Sequence, residues 1–401
     1  MSTFQFGIQT LLKNQSAMSQ LKKHRVGLIA HPASVDHQLN HSLYLLHKEG
    51  LKITCAFGPQ HGMLGEKQDN MIETDDYLDP VLKIPVFSLY GQFRKPTAEM
   101  LNHCDLVLFD LQDIGTRVYT FLTTLKLVME ACSEAGKELW ILDRPNPAGR
   151  AIEGLSLRPG QESFVGAAPM PMRHGLTLGE AALYFKELFD LNLSLRIFQM
   201  DHYTPSKGPL FGWPEGMPWI NPSPNAGTLN MVRCFPGTVM LEGTHLSEMR
   251  GTTRALEGFG APDLDADLIL KRMKELKSEW LEGCLIRKVF FEPTFNKHKG
   301  SLCQGLQFHT DFQGYDPLHF KPYRLQSLAF KAIRELMPQY PLWRDFPYEY
   351  ERDRLAIDVI NGGPFLREWV DNTSPGVQDL EMELLEDESA WTEESRDYHL
   401  Y

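Results

Sequence analysis

The chain is 401 residues long, 42% hydrophobic and 11% aromatic, enough apolar material for a sizeable core and for two domains rather than one. Its 40 basic and 52 acidic residues leave a formal charge of -12, which repels phosphate backbones and anionic membrane surfaces and sets aside nucleic acid and membranes as partners. No stretch approaches the ~20 apolar residues of a membrane span, and the start lacks the basic segment and apolar run of a secretory leader, so a cytoplasmic location is expected.

Up to about residue 150, short apolar runs rich in branched residues alternate with amphipathic stretches, the pattern of a parallel sheet covered by helices. Strands are predicted near residues 26–30, 53–57, 86–89, 106–109 and 139–142, and helices over 41–48, 97–102 and 120–135. The last carries Leu122, Leu125, Val128 and Met129 at helical spacing. The class is α/β, with a doubly wound sheet. From Leu176 the character changes: a helix over 177–189, a strand near 195–200, the loop-rich FGWPEGMPWINPSPNAG, strands near 285–291 and 306–308, and a helix over 325–336. This half is expected to be α+β, giving domains 1–175 and 176–401. The acidic tail over 379–397 carries Leu380, Met382, Leu384 and Leu385, which suggest a short helix in a charged extension. Cys55, Cys104, Cys132, Cys234, Cys284 and Cys303 form no CxxC pair and read as reduced core thiols.

An open parallel sheet binds ligands beyond the carboxyl ends of its strands. Those ends are polar here: His31-Pro32, Gly58-Pro59-Gln60-His61, Tyr90-Gly91, Asp110 to Arg117, and Asp143-Arg144-Pro145-Asn146-Pro147, all expected along one rim. No GxGxxG follows the first strand, and GxxxxGK[ST], HExxH and GxSxG are absent, which sets aside dinucleotide enzymes, phosphate-loop NTPases, zinc proteases and elbow-type esterases. Neither a metal nor an organic cofactor is expected.

What remains are acid, amide and arginine clusters, each with a plainer structural reading. In GPQHGMLGE, Gln60 and His61 can meet a ligand and Glu66 supplies a carboxylate, or the amide and imidazole cap a turn. In QDIGTRVYT, Asp113 and Arg117 can orient each other across Gly115 while Tyr119 offers a ring face, or they form a helix-start pair. LDRPNPAGRAIEG holds Asp143, Arg144 and Asn146 in a proline-stiffened loop with Glu153 beyond, suiting a preorganised binding loop or a rigid linker. In PMPMRHG, Arg173 can take a carboxylate bidentately beside His174. NPSPN presents Asn221, Ser223 and Asn225, with Trp213 and Trp219 upstream as a possible sugar platform, although tryptophan is more often core. LEGTHLSEMRGTT gathers Glu242, Glu248, Arg250, Thr252 and Thr253, where a glutamate between glycine-bearing turns can act as general acid or base, or the stretch is a solvated hairpin.

In order, FGIQTLL, HGMLGE, PVFSLYG, FDLQDIGTRVYT, LDRPNP, PWINPSPN, EGT, SEMRGTT and FEPTF run through nearly the whole chain, which with them resembles the NamZ-type exo-β-N-acetylmuramidases. The resemblance implies a Rossmann-like domain, an ancillary carboxyl-terminal domain, a cleft between them, and release of N-acetylmuramic acid from the non-reducing end of peptidoglycan fragments in cell-wall turnover or recycling. The partner is then a small glycan or muropeptide. Its lactyl carboxylate asks for Arg144, Arg173 or Arg250, and its acetamido group for Asn221 or Asn225. Cleavage needs an acid for the leaving oxygen and a second group at the anomeric carbon. The family typically reads PEHG where this chain has Pro59-Gln60-His61-Gly62, and an amide cannot exchange a proton at neutral pH. Either Glu66, Glu153 or Glu242 carries the chemistry, or the protein is a catalytically impaired muropeptide- or amino-sugar-binding protein. His31-Pro32-Ala33-Ser34 also departs from the Asn-bearing turn of relatives. Oligomeric state is not legible in the sequence.

Overall fold

The computed structural model describes residues 4–68, 71–372, 374 and 376–401. The chain opens with two short helices, α1 (Gly7–Lys13) and α2 (Gln15–Leu21), the second capped by the Asn14 side chain, which accepts the Ala17 N–H. Next come β1 (Arg25–Ile29), α3 (Ser42–Lys48), β2 (Lys52–Gly58), β3 (Tyr77–Leu78), β4 (Pro85–Ser88), α4 (Ala98–Leu101), β5 (Leu106–Phe109), α5 (Phe121–Glu134) and β6 (Glu138–Leu142). A hairpin, β7 (Glu153–Ser156) and β8 (Pro171–Arg173), then leads to α6 (Leu178–Leu188) and β9 (Leu195–Phe198).

The seven-stranded sheet runs β3-β4-β2-β1-β5-β6-β9. Only the edge strand β3 is antiparallel to its neighbour. Counted alone, the parallel strands follow the 3-2-1-4-5-6 order of a dinucleotide-fold sheet, whose switch point lies between β1 and β5. Both faces are buried, as an all-parallel array requires. Val26 and Leu28 of β1, Leu106 and Leu108 of β5, and Trp140 and Leu142 of β6 pack with Phe6, Ile8, Leu11 and Leu43 on one side. Their alternates Ile29, Val107, Phe109 and Ile141 join Leu122 and Leu125 in a larger core on the other. Each such side chain contributes roughly 1.5–3 kcal/mol on burial. A domain boundary at residue 175 would cut this sheet, because β9 pairs with β6 beyond it.

The second half contains α7 (Leu229–Thr238), β10 (Gly258–Ala261), α8 (Ala266–Lys277), β11 (Leu285–Phe291), β12 (Cys303–His309), α9 (Pro322–Leu336), α10 (Ala356–Asn361), α11 (Phe365–Asp371) and α12 (Val377–Ser395). Its strands form an antiparallel sheet in the order β10-β12-β11, so the half is α+β as expected. Helix α9 starts with proline in its first turn and is buried from Pro322 to Ile333. The tail is not a charged extension. It is the 19-residue α12, lying along β7 with Leu380, Leu384 and Trp391 buried and Met382 and Leu385 outside. Its acids meet specific bases, Asp387 to Arg158 at 2.7 Å and Glu388 to Arg324 at 2.5 Å.

At the switch point the crevice is filled by the chain itself. Arg144 Nε lies 2.6 Å from Asp110 Oδ1, and its Nη2 donates to Asp110 Oδ2 and the Val35 carbonyl, each at 3.0 Å. Ser42 donates to the same carboxylate, and the Phe6 ring lies under the guanidinium at 4.9 Å. Both charged side chains are buried. Removing one partner of such a pair strands the other charge. Arg144→Met should therefore cost about 3–5 kcal/mol in urea unfolding, and Arg144→Met with Asp110→Leu clearly less than the sum of the two single changes.

Candidate active site

One strand away from that plug, β2 delivers the turn Gly58 to Gly62. Glycine is needed at 58, since a Cβ there would fall 2.5 Å from the Met63 amide. The Gly62 N–H bonds the Pro59 carbonyl at 2.9 Å, and His61 takes a left-handed φ of 70°. This aims Gln60 inward, while the His61 ring, through Nδ1, bonds the Lys67 carbonyl at 2.7 Å. Gln60 Oε1 accepts the Thr120 hydroxyl at 2.8 Å, and its Nε2 donates to Glu349 Oε1 at 3.2 Å. Thr120 stands at the α5 N-cap but spends its hydroxyl on Gln60 instead of capping the helix.

Glu349 reaches the site from a tight hairpin. Tyr348 and Glu351 exchange backbone hydrogen bonds of 3.1 and 3.0 Å, and the two residues between them, Glu349 and Tyr350, have φ of 46° and 72°. That is the pattern of a type I′ turn, which normally favours Asn-Gly. A non-glycine residue held in this region costs of order 1–3 kcal/mol and persists where its surroundings fix it. Here Tyr90 donates its hydroxyl to Glu349 Oε2 at 2.7 Å, and Arg94 lies 4.0 Å over the Tyr350 ring. Burial pushes the Glu349 carboxyl up to about 7, against the opposing bonds from Tyr90 and Gln60 and with the help of nearby Glu242.

Glu242 lies on the 3-10 turn Val239–Gly243 that continues α7. Arg250 Nη2 donates to its Oε1 at 2.5 Å and the Tyr348 hydroxyl to its Oε2 at 2.7 Å. Arg250 Nε also stands 3.1 Å from Glu248, which Lys297 meets at 2.6 Å on the far side. Burial alone would raise the Glu248 carboxyl, but Lys297 and Arg250 outweigh it and hold it low. The cavity joining these groups is lined by Gln60, Glu349, Glu242, Arg250, Ser223 and Asn225 on its polar side. Tyr119, Met231, Phe235 and Leu256 are among its apolar lining. It holds about 50 Å³ and shares Asn225 and Met231 with a wider cavity of about 640 Å³ edged by Gln68, Thr228, Thr252, Thr253 and Thr294. The arrangement offers a small inner chamber with two carboxyl groups in unlike surroundings, beside a hydroxyl-rich outer one.

Of the residues expected from sequence, Gln60, His61, Tyr119, Ser223, Asn225, Glu242 and Arg250 line the inner cavity, with Tyr90 and Glu248 directly behind it. Thr252 borders the outer one. The others are placed elsewhere. Glu66 is half exposed beside Lys67 at 3.8 Å. Glu153 is sealed under α9, accepting the Tyr323 and Arg324 amides at 3.1 and 2.9 Å. Arg117 does not pair with Asp113: its Nη atoms donate to the carbonyls of Leu155, Met170, Ile360 and Asn361, tying the two halves together. Asp113 faces His174 at 3.9 Å, and burial moves the two in opposite senses, the carboxyl up to about 7 and the imidazole down to about 3. Asp143 accepts from Thr177, Gly179 and Tyr401, while Arg144 is in the switch-point plug. Asn146 donates to the Leu176 carbonyl, and Arg173 to the carbonyls of Pro317 and Ala148. Asn221 is exposed. Trp213 and Trp219 pack on each other at 4.9 Å and are no part of the inner lining. Glu349, Tyr348 and Thr120 are cavity residues that sequence reasoning missed. The stretch PYEYE offers no Asn or Gly to mark its turn, and Glu349 meets Gln60 across 289 positions.

Family models described as exo-beta-N-acetylmuramidase NamZ, N-terminal, and exo-beta-N-acetylmuramidase NamZ, C-terminal, match residues 26–230 and 233–401. The peptidoglycan beta-N-acetylmuramidase NamZ of Bacillus subtilis (strain 168) is 37% identical over 370 residues, 92% of this chain and 84% of that protein. A crystal structure of a DUF1343 family protein from Bacteroides fragilis covers 99% of each chain at 28% identity with a TM-score of 0.83. A second protein of that family and organism, 22% identical, has the same fold at a TM-score of 0.76 over 100% of this chain and 99% of its own.

The Glu349 carboxyl is raised on folding, from an ordinary 4.5 to about 7. The folded state is therefore penalised as pH climbs through that window, and the penalty is complete above it. Glu349→Gln should match the native protein in stability near pH 4 and exceed it by about 1–3 kcal/mol at pH 8, read as urea midpoints.

Proposed function

The chain belongs to the NamZ exo-β-N-acetylmuramidase family, and from that membership we propose that the cavity between Gln60, Glu242 and Glu349 is where it cuts peptidoglycan fragments. It is a glycoside hydrolase that takes a peptidoglycan-derived glycan and releases N-acetylmuramic acid from the non-reducing end. The observation that carries the assignment of the site is the pair of buried glutamates on one cavity, Glu242 ion-paired with Arg250 and Glu349 raised by burial. Glycoside cleavage calls for such a pair, one carboxyl group able to give a proton and another acting at the anomeric carbon. Glu242, fixed by Arg250 and Tyr348, takes the anomeric side. Arg250 is the arginine among the inner lining residues, so of Arg144, Arg173 and Arg250 it is the one we assign to the lactyl carboxylate. Asn225, which borders both cavities, is assigned to the sugar's acetamido group and Ser223 to a hydroxyl at the reacting end.

The inner chamber, at about 50 Å³, is too small for a whole sugar, so the body of the substrate is assigned to the adjoining cavity of about 640 Å³ and its reacting end to the carboxyl groups of the inner one. The cytoplasm is the proposed compartment, supported by six free cysteines, five of them buried. The domain division proposed with this reading follows completion of the parallel sheet at Phe198 and precedes α7.

Incubation with a β-linked N-acetylmuramoyl-N-acetylglucosamine disaccharide should release free N-acetylmuramic acid, and a substrate with N-acetylglucosamine at the non-reducing end should stay intact. Glu242→Gln should lower kcat/KM by ~10²–10⁴-fold. Tight binding of the disaccharide with no release would sink the hydrolase reading and leave a binding protein.

A further inference from the structure

Resting on the reading of this cavity as a glycosidase site, we propose that Glu349 is the proton donor to the leaving oxygen, and that Gln60 has become the residue that positions it. The loop after β2 cannot supply the acid in this chain, because residue 60 is an amide and Glu66 turns outward to Lys67. Glu153 is also excluded, since both of its oxygens are engaged by the amides that open α9. Glu242 is already engaged on both oxygens, by Arg250 at 2.5 Å and by the Tyr348 hydroxyl at 2.7 Å. Glu349 is left, and the geometry around it is specific. Its Oε1 stands 3.2 Å from Gln60 Nε2, so a carboxyl group sits one hydrogen bond from the side chain that occupies the expected catalytic position. Thr120 fixes the other end of that amide, and Tyr90 fixes the other carboxyl oxygen. The backbone that carries Glu349 is held in a left-handed turn unsuited to glutamate, and the residue is 4% exposed. A residue whose only task was to close the hairpin would be Asn or Gly.

The titratable and charged groups around it are consistent with an acid that works near neutrality. Glu242 and Tyr348 face it from the cavity, Tyr90 from β4's end, and Arg94 and Tyr350 from the rim. In the reaction the Glu349 carboxyl proton passes to the glycosidic oxygen as the C1–O bond breaks, and the leaving sugar departs with a free hydroxyl. A water molecule supplies the new hydroxyl on C1, and the proton it sheds restores the Glu349 acid. An anionic substrate in the same cavity disfavours the Glu349 carboxylate further, so the group should titrate higher in the complex than in the free enzyme.

The experiment compares native protein, Glu349→Gln and Tyr90→Phe on two substrates: the muramoyl disaccharide and an activated aryl β-N-acetylmuramide whose phenol leaves without a proton. For native protein, kcat/KM should fall as pH rises through about 7, and the fall in kcat should come at higher pH. Glu349→Gln should lose ~10²–10⁴-fold on the disaccharide but less than about tenfold on the activated glycoside, and the alkaline fall should vanish. Tyr90→Phe removes a hydrogen bond that favours the anion, so its alkaline fall should move to higher pH. Equal losses of Glu349→Gln on both substrates, or an unchanged profile within threefold of native, would overturn the assignment while leaving the hydrolase intact. Release from neither substrate by native protein overturns the hydrolase reading and the acid with it.

Discussion

The guanidinium of Arg144 reaches across the carboxyl ends of β1 and β5 and closes on Asp110, in the place where an open sheet of this strand order ordinarily receives its ligand. Among the described residues the crevice offers no phosphate cradle: the turn after β1 has no glycine-rich loop, and Ser34 and Ser42 both bond to Asp110. The ion pair is fully desolvated, so it holds only because each charge finds several partners. With that corner plugged, the accessible polar rim shifts to the end of β2, and the second half of the chain is packed so as to complete it. Arg117 makes this docking firm, with four buried carbonyl bonds joining the α5 approach to β7, to Met170 just before β8, and to α10.

The chemistry of the cavity follows from where its positive charges stand. Arg250 and Lys297 sit on the Glu242 and Glu248 side, and the Glu349 side has tyrosine hydroxyls and an amide. Glu242 is thus given a counter-charge in direct contact, while Glu349 is hydrogen-bonded by neutral donors with Arg94 farther off over the Tyr350 ring, and both are shielded from water. Burial raises the Glu349 carboxyl and so suits it to give a proton near neutrality, while Glu242 keeps its arginine; unlike surroundings of this kind are how acid and base roles are divided between like side chains.

Much of this was legible in the sequence, and the rest was hidden for physical reasons. The strands of the parallel sheet announce themselves because both faces are buried and their residues are continuously apolar, as in LVLF of β5. Helices α1 and α2 did not, being two turns each and interrupted at Asn14. Helix α7 was obscured by Pro236 within it, and α12 by a tail whose acids read as solvated until Arg158 and Arg324 are seen opposite them. At the site, the motifs of Gln60, Glu242 and Arg250 were visible as clusters, yet Arg117, Arg144, Arg173 and Glu153 carried equally suggestive patterns and serve the architecture instead. Local spacing cannot distinguish a buried structural arginine from one facing a cavity. Glu349 was invisible for the opposite reason, since its partner lies in the other half of the chain.

The Glu349-Tyr350 turn has a consequence for how this chain can change. A hairpin of this hand folds more readily with Asn-Gly at its tip, so substitutions that ease folding and substitutions that erase the carboxyl group coincide at one position. A search for sturdier variants that scores only expression or melting would accept changes at this corner and return proteins that are well behaved and silent. The same corner is therefore a tracer of selection: a glutamate retained there against its own backbone preference marks a lineage in which the reaction, and not merely the fold, is being kept.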